Sequence, residues 1–242
     1  MYAIEIVGLS KQYKDVLAVD NLTLSINEGE LFSLLGVNGA GKTTTIKMLS
    51  CLTQASSGDA FLLGKSIKNN PEEVKSIIAV SPQETAVAQA LSVRENLELI
   101  CGIHGFSKEE TEKKITEVID GLSLKEVINK RAGKLSGGFA RRLSIAMALI
   151  SNPKILFLDE PTLGLDVISR SELWDIIKIL KGNITIILTT HYMEEAEELS
   201  DRIGIMKDGK LLICDPPYVI KAKTSESSIE KAFIKVIKEA DK

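Results

Sequence analysis

Lys42 ends the run Gly36-Val37-Asn38-Gly39-Ala40-Gly41-Lys42, which is followed by Thr43 and Thr44, and a second glycine pair lies further along in Leu135-Ser136-Gly137-Gly138. The first run fits G-x-x-x-x-G-K-[ST], whose glycines let a loop wrap a phosphate chain with its backbone N–H groups while the lysine reaches the terminal phosphates. An ordinary glycine turn between a strand and a helix would explain the glycines but not Lys42 and Thr43. Ser136 and the two glycines after it are poised to open a helix, so they form a second candidate anion site. Two further polar groups end apolar runs: the adjacent carboxylates Asp159 and Glu160, just before Pro161, and His191.

These groups need elements to carry them. Leu31 to Leu35 is a nearly continuous apolar run, as expected of a parallel strand buried on both faces. Thr43 to Leu49 suits a helix beginning at the loop, with its unpaired N–H groups and positive dipole end facing the phosphate. Ile155 to Leu158 and Ile184 to Leu188 read as further buried strands that deliver Asp159-Glu160 and His191 at their carboxyl ends. Open parallel sheets bind ligands at those ends, so residues distant in sequence are expected to converge.

Residues 1 to about 30 alternate apolar positions, for example Leu22, Leu24 and Ile26, and end in the turn Asn27-Glu28-Gly29-Glu30. Ser92-Val93-Arg94-Glu95 reads as a capping box opening a helical stretch. That stretch runs through Leu97, Ile100, Cys101, Ile115, Val118, Ile119 and Leu122 to Leu143–Ile150, and Asn152-Pro153 ends it. The pattern predicts an α/β core over residues 1–88 and 152–215 with N-terminal antiparallel strands. It adds an all-helical subdomain over 89–151 and a helical tail over 216–242. In the tail, Ile229, Ala232, Phe233, Val236, Ile237 and Ala240 recur at helical spacing, predicting an amphipathic helix that docks on this chain or on a second copy.

Composition narrows the classes. The 242 residues suffice for one large domain or one domain with an inserted lobe, and 44% hydrophobic content with a net charge of -3 fits neither disorder nor a broadly basic surface. Nucleic acid is therefore not expected as a partner. Cys51, Cys101 and Cys214 are widely spaced and lack metal-ligand spacing, which predicts reduced thiols rather than a disulfide framework. The start shows no basic segment followed by an apolar core, and no stretch approaches the roughly 18 apolar residues of a membrane span. A chain that neither crosses a membrane nor carries a visible secretion signal is expected.

Taken together, the motifs resemble the ATP-binding subunit of an ABC transporter, from about Ile4 to the tail. Gly36–Thr44 resembles Walker A, Leu135–Gly138 the signature motif, and Ile155–Pro161 Walker B with its catalytic glutamate. Gln83, Leu163-Gly164-Leu165-Asp166 and His191 match the Q-loop, D-loop and switch histidine in order, and Tyr13 sits where the family places an aromatic that stacks on adenine. The resemblance implies a P-loop NTPase core of the ABC type, with ATP as substrate and Mg²⁺ as cofactor. Lys42 and the loop amides of Gly36, Asn38, Gly39, Ala40 and Gly41 would neutralise the phosphates. Thr43 and Asp159 would hold Mg²⁺ directly or through water, with Gln83 a candidate for a further oxygen. Glu160 would act as general base, and His191 would hold the γ-phosphate and orient the attacking water. Ser136, Gly137 and Gly138 would meet the ATP of a partner chain, so two chains would complete two sites head to tail. The implied partners are a second copy or a related ATPase subunit and a separate transmembrane permease, at the cytoplasmic face of the membrane.

The phrase Thr189 to Glu197 and the tail segment Ser228 to Phe233 resemble the ATPases that serve ABC-2 type exporters. Phe139 departs from the pattern, since the signature usually has glutamine there. The departure predicts altered trans binding, not a dead enzyme. A loop aspartate such as Asp166 commonly just caps a helix. His104 and the run Lys108 to Lys114 are expected to be solvated helix surface. Rival classes fit less well. A DNA-repair ATPase of the superfamily would need a long coiled coil where only Ser92 to Ile150 is available, and a translation-associated ABC protein usually carries two cassettes in one chain. A GTPase would want an aspartate that Asn129-Lys130-Arg131-Ala132 lacks.

Overall fold

The computed structural model describes residues 1–241. The chain begins with a long antiparallel pair, β1 (Tyr2–Tyr13) and β2 (Val16–Asn27), in the register Ile4↔Ile26, Ile6↔Leu24 and Leu9↔Leu22. Glu30 accepts the Asn27 amide and side chain and so closes the turn that follows. β3 (Leu31–Gly36) then enters the interior, and α1 (Lys42–Leu49) leaves the loop behind it. β4 (Ser57–Leu62) and β5 (Lys65–Ser66) join the first pair to make a four-stranded sheet ordered β2-β1-β4-β5.

After α2 (Pro71–Ile77) and β6 (Ile78–Ser81) the named elements up to β7 (Ile155–Asp159) are all helices. α3 (Val93–Ile103), α4 (Lys108–Gly121) and α5 (Gly137–Leu149) carry this stretch, with short 3₁₀ turns between α4 and α5. α6 (Val167–Leu180), β8 (Thr185–Thr190) and α7 (Met193–Leu199) follow, then the hairpin β9 (Arg202–Lys207) and β10 (Lys210–Asp215). The chain closes with α8 (Pro217–Thr224) and α9 (Ile229–Glu239).

The second sheet has six strands in the order β10-β9-β3-β8-β7-β6, all parallel except the β10–β9 hairpin. Every residue of β3, β7 and β8 is buried. Helices and the antiparallel sheet cover both faces, which is why these strands read as unbroken apolar runs rather than alternating ones. On one side Ile4, Leu24 and Leu62 of the antiparallel sheet pack with Phe32, Phe157 and α1. On the other, Leu156, Leu158 and Leu188 pack against Leu97, Ile119, Leu143 and Leu173 of the helices. The tail docks on this same chain: Ile229, Ala232 and Phe233 join Leu35, Ile203 and Ile205 in a third core.

The parallel register does the work of convergence. Asp159 pairs with Thr189 and Leu35 with Thr190, so the carboxyl ends of β3, β7 and β8 finish level with one another. The Lys42 loop, Glu160 and His191 therefore emerge at the same edge.

Candidate functional site

Gly41 takes φ +104°, and a Cβ there would come 2.4 Å from the carbonyl oxygen of Ala18. Only glycine allows this tight a path. No side chain caps α1, so the first amides of the helix stay available to the concave side of the loop. Lys42 is buried, and its ammonium donates to the carbonyls of Gly36 at 2.7 Å and Val37 at 3.3 Å, with Oε1 of Glu160 at 3.6 Å. The charge thus sits over its own loop.

Asp159 ends β7, and its Oδ1 accepts the hydroxyl of Thr189 and, at 3.3 Å, the hydroxyl of Thr43. Glu160 follows with φ +48°, an unusual conformation for a residue with a side chain. Its amide is pinned to Thr189, through the carbonyl at 3.0 Å and the hydroxyl at 3.1 Å. The turn aims the Glu160 side chain sideways, and Oε2 pairs with Nδ1 of His191 at 2.7 Å. His191 itself lies against the Tyr192 ring, centroids 4.2 Å apart.

A cavity of about 640 Å³ opens over these groups. The Asn38–Thr44 stretch lines it, together with Gln83, Glu160 and His191 and with Tyr13, Val16 and Leu17. Gly36 reaches it only through its bond to Lys42, and Asp159 only through Thr43. Tyr13 is 43% exposed, and Lys11 Nζ lies 4.9 Å from its ring centroid.

The signature residues lie elsewhere; none of Ser136, Gly137 and Gly138 lines this cavity. Ser136 caps α5 by accepting the Phe139 amide at 3.4 Å, and both it and Gly137 are exposed. Gly138 is buried for a packing reason, since a Cβ would meet the Ser169 hydroxyl at 2.8 Å. Phe139 is half-buried, with the Arg142 guanidinium 5.2 Å from its ring centroid. Asp166 is the N-cap of α6: it accepts the amides of Ile168 and Ser169, each at 3.0 Å, and the Ser169 hydroxyl at 2.8 Å. The amide and hydroxyl of Ser169 hold its carboxyl below the usual range. His104 and the Lys108–Lys114 run are mostly exposed, although Lys114 reaches back to the Ile150 carbonyl and over the Phe106 ring.

Two site residues escape a reading of motifs alone. Thr189 holds both Asp159 and Glu160, yet in the sequence it is one threonine of an apolar strand. Arg141 is buried and donates to the carbonyls of Pro82 at 2.6 Å and Gln83 at 2.5 Å, tying α5 to the segment that carries Gln83. Burial pushes its guanidinium down, while the carboxylates of Asp159 and Glu195 oppose the shift. The detectable signal was an arginine pair on a helix otherwise headed for the core.

The family described as ABC transporter matches residues 19–163, more than half of the chain. Phospholipid-transporting ATPase ABCA3 of Homo sapiens is 40% identical over 224 residues, which are 91% of this chain but 13% of that protein. Daunorubicin/doxorubicin resistance ATP-binding protein DrrA of Streptomyces peucetius is 39% identical over 211 residues, 87% of this chain and 64% of that one. The chain thus spans a small part of the first relative and just under two thirds of the second. Among solved structures, an ATP binding subunit of an ABC transporter superposes with a TM-score of 0.85 at 25% identity, covering 97% of this chain and 99% of its own. A dimeric post-hydrolysis ATP-binding cassette bound to ADP and Pi gives a TM-score of 0.78 at 28% identity, covering 88% of this chain and 98% of its own.

Proposed function

The chain belongs to the ABC transporter family, and from that premise we propose that it is an ATP-hydrolysing subunit that powers transport, in the export direction, through a separate membrane-spanning partner. The observation that carries this reading is the convergence of the Lys42 loop, the Thr43–Asp159 pair and the Glu160–His191 pair on one cavity. ATP would lie across it. The adenine would stack on the exposed Tyr13 beside Val16 and Leu17, and the phosphates would lie in the loop, where Lys42 and the amides at the start of α1 neutralise them.

Mg²⁺ suits the donor set. Thr43, Asp159 and Gln83 offer hard oxygens. Among the described residues no group of three or more His, Cys, Asp and Glu could hold a metal alone, so an ion here would depend on phosphate oxygens as well. When bound, it would offset charge on the transferring phosphoryl group. Glu160 would take the proton of the attacking water as its oxygen bonds to the γ-phosphorus and the bond to the ADP oxygen breaks. His191, paired with Glu160 at 2.7 Å, would orient that carboxylate and the water.

The exposure of Ser136 and Gly137 at the start of α5, away from this chain's own cavity, supports their facing the nucleotide of a second chain. A solved relative is dimeric with ADP and Pi bound, which supports a two-chain unit. No helix among the described residues is long and apolar enough to cross a membrane; in this reading a membrane-spanning partner supplies the translocation path, with this chain at its cytoplasmic face. DrrA is named for drug resistance, and that supports outward movement.

Glu160→Gln tests the reading. The variant should keep ATP affinity, accumulate as an ATP-bound dimer and lose on the order of 10²-fold or more in hydrolysis. Turnover within about twofold of the unaltered chain would remove Glu160 from the general-base role.

A further inference from the structure

His191 is shared by two open spaces. It lines the reaction cavity and also a second cavity of about 390 Å³, bounded with it by Glu194, Glu197 and Ser228. Its side chain is 37% exposed, so packing alone does not confine the imidazole. The bond from Nδ1 to Oε2 of Glu160, at 2.7 Å, fixes one ring atom. A ring held at one atom can still turn about that contact. The face of Tyr192 takes up this freedom: the two ring centroids are 4.2 Å apart and the planes are inclined by 37°. Tilted and offset stacks are the favourable arrangements for aromatic rings.

Consecutive side chains on an extended chain point to opposite sides, so a stack between residues 191 and 192 needs a turn. The Thr190 hydroxyl provides it by accepting the Tyr192 amide at 3.0 Å, a bond that spans two residues and bends the backbone just where β8 ends. The Tyr192 carbonyl then accepts the Ala196 amide at 3.2 Å as α7 begins, so the backbone of Tyr192 is held on both sides. Its ring is held as well. Arg170, in the first turn of α6, places its guanidinium 5.4 Å from the Tyr192 ring centroid, within the roughly 6 Å at which a cation is attracted to an aromatic face. Neither Tyr192 nor Arg170 lines the reaction cavity, so any effect of either on the reaction passes through His191.

We infer that Tyr192 is a positioning residue for hydrolysis: its ring sets the plane of the His191 imidazole, and with it the direction of the nitrogen that Glu160 leaves free, while Arg170 steadies the Tyr192 ring from α6. The inference rests on the roles proposed above for Glu160 and His191. The ring makes both contacts, so an aromatic replacement should be tolerated where an aliphatic one is not.

Two measurements on the full chain test the stack and its consequence separately. The chain has two histidines, His104 and His191, so His104→Asn leaves a single imidazole in the proton magnetic resonance spectrum. In that background the carbon-bound protons of His191 should be shifted upfield by the neighbouring ring, keep that shift in Tyr192→Phe and lose it in Tyr192→Leu. An unchanged position in Tyr192→Leu would overturn the inference. In hydrolysis, Tyr192→Leu should lower kcat by about threefold to tenfold with KM for ATP within about twofold, and Tyr192→Phe should keep kcat within about twofold of the unaltered chain. In a His191→Ala background, Tyr192→Leu should cost less than about a further twofold, because the ring it orients is gone. Arg170→Gln should lower kcat severalfold with Tyr192 present and by less than about twofold in Tyr192→Leu. Equal losses in the phenylalanine and leucine variants, a parallel loss of kcat and ATP affinity, or the same factor with and without His191 would overturn the inference. Absence of hydrolysis by the unaltered chain would overturn the functional reading together with this inference, whereas full kcat in Tyr192→Leu would overturn this inference alone.

Discussion

Phe139 stands where the resemblance to the family leads one to expect glutamine. Its ring is half-buried beside Arg142, whose guanidinium also pairs with Glu172 of α6. A glutamine there would offer a hydrogen bond to whatever faces the start of α5; phenylalanine offers packing within its own chain. A single neutral hydrogen bond contributes about 0.5–1.5 kcal/mol, and a head-to-tail dimer would contain two, so Phe139→Gln should shift ATP-driven dimerisation by less than about 200-fold. Binding of ATP by the single chain should change less than dimerisation, compared by nucleotide titration and sedimentation. Equal changes in both would mean that position 139 does not face a partner's nucleotide. At this scale the legible residues were those whose type is required by chemistry, such as Lys42, Asp159, Glu160 and His191. Thr189 and Arg141 were not legible, because a hydroxyl or guanidinium that only steers backbone carries no spacing rule.

Elements were legible where local chemistry and burial agree. The Ser92 hydroxyl accepts the Glu95 amide at 3.2 Å, and Glu95 Oε2 accepts the Ser92 amide at 2.7 Å, the reciprocal pair that the Ser-x-x-Glu spacing predicts. Ser92→Ala should cost about 0.5–2 kcal/mol of stability, read as a lower denaturant midpoint at constant slope. The Ser92 amide and hydroxyl hold the Glu95 carboxyl below its ordinary range. The folded value is depressed, so this part of the cap's stabilisation is present above the unfolded carboxylate's pKa and lost as pH falls through the folded one. The gap between Ser92→Ala and the unaltered chain should therefore narrow on acidification. Less legible was α9: its apolar spacing announced a buried face, but Ile229 and Phe233 could have been destined for this chain or another. Only the placement of Leu35, Ile203 and Ile205 beneath them decides it.

At the scale of the molecule, the parallel sheet was readable from three apolar runs, β3, β7 and β8, because each is covered on both faces. Strand order was not, since nothing in β3 says that β8 lies beside it and β7 beyond. With the translocation path assigned elsewhere, the chain should co-purify with a membrane-spanning protein when gently extracted from its native host. Recovery only as a free soluble species would count against the transport role. The bonds around Lys42 tie this larger cycle to the proposed general base. The ammonium holds two loop carbonyls and lies 3.6 Å from Glu160, which also holds His191. A terminal phosphate that draws the lysine away would change partners for both residues at once. On the roles proposed above, the loop would work as an interlock, in which occupancy of the phosphate position and release of Glu160 from Lys42 are one event.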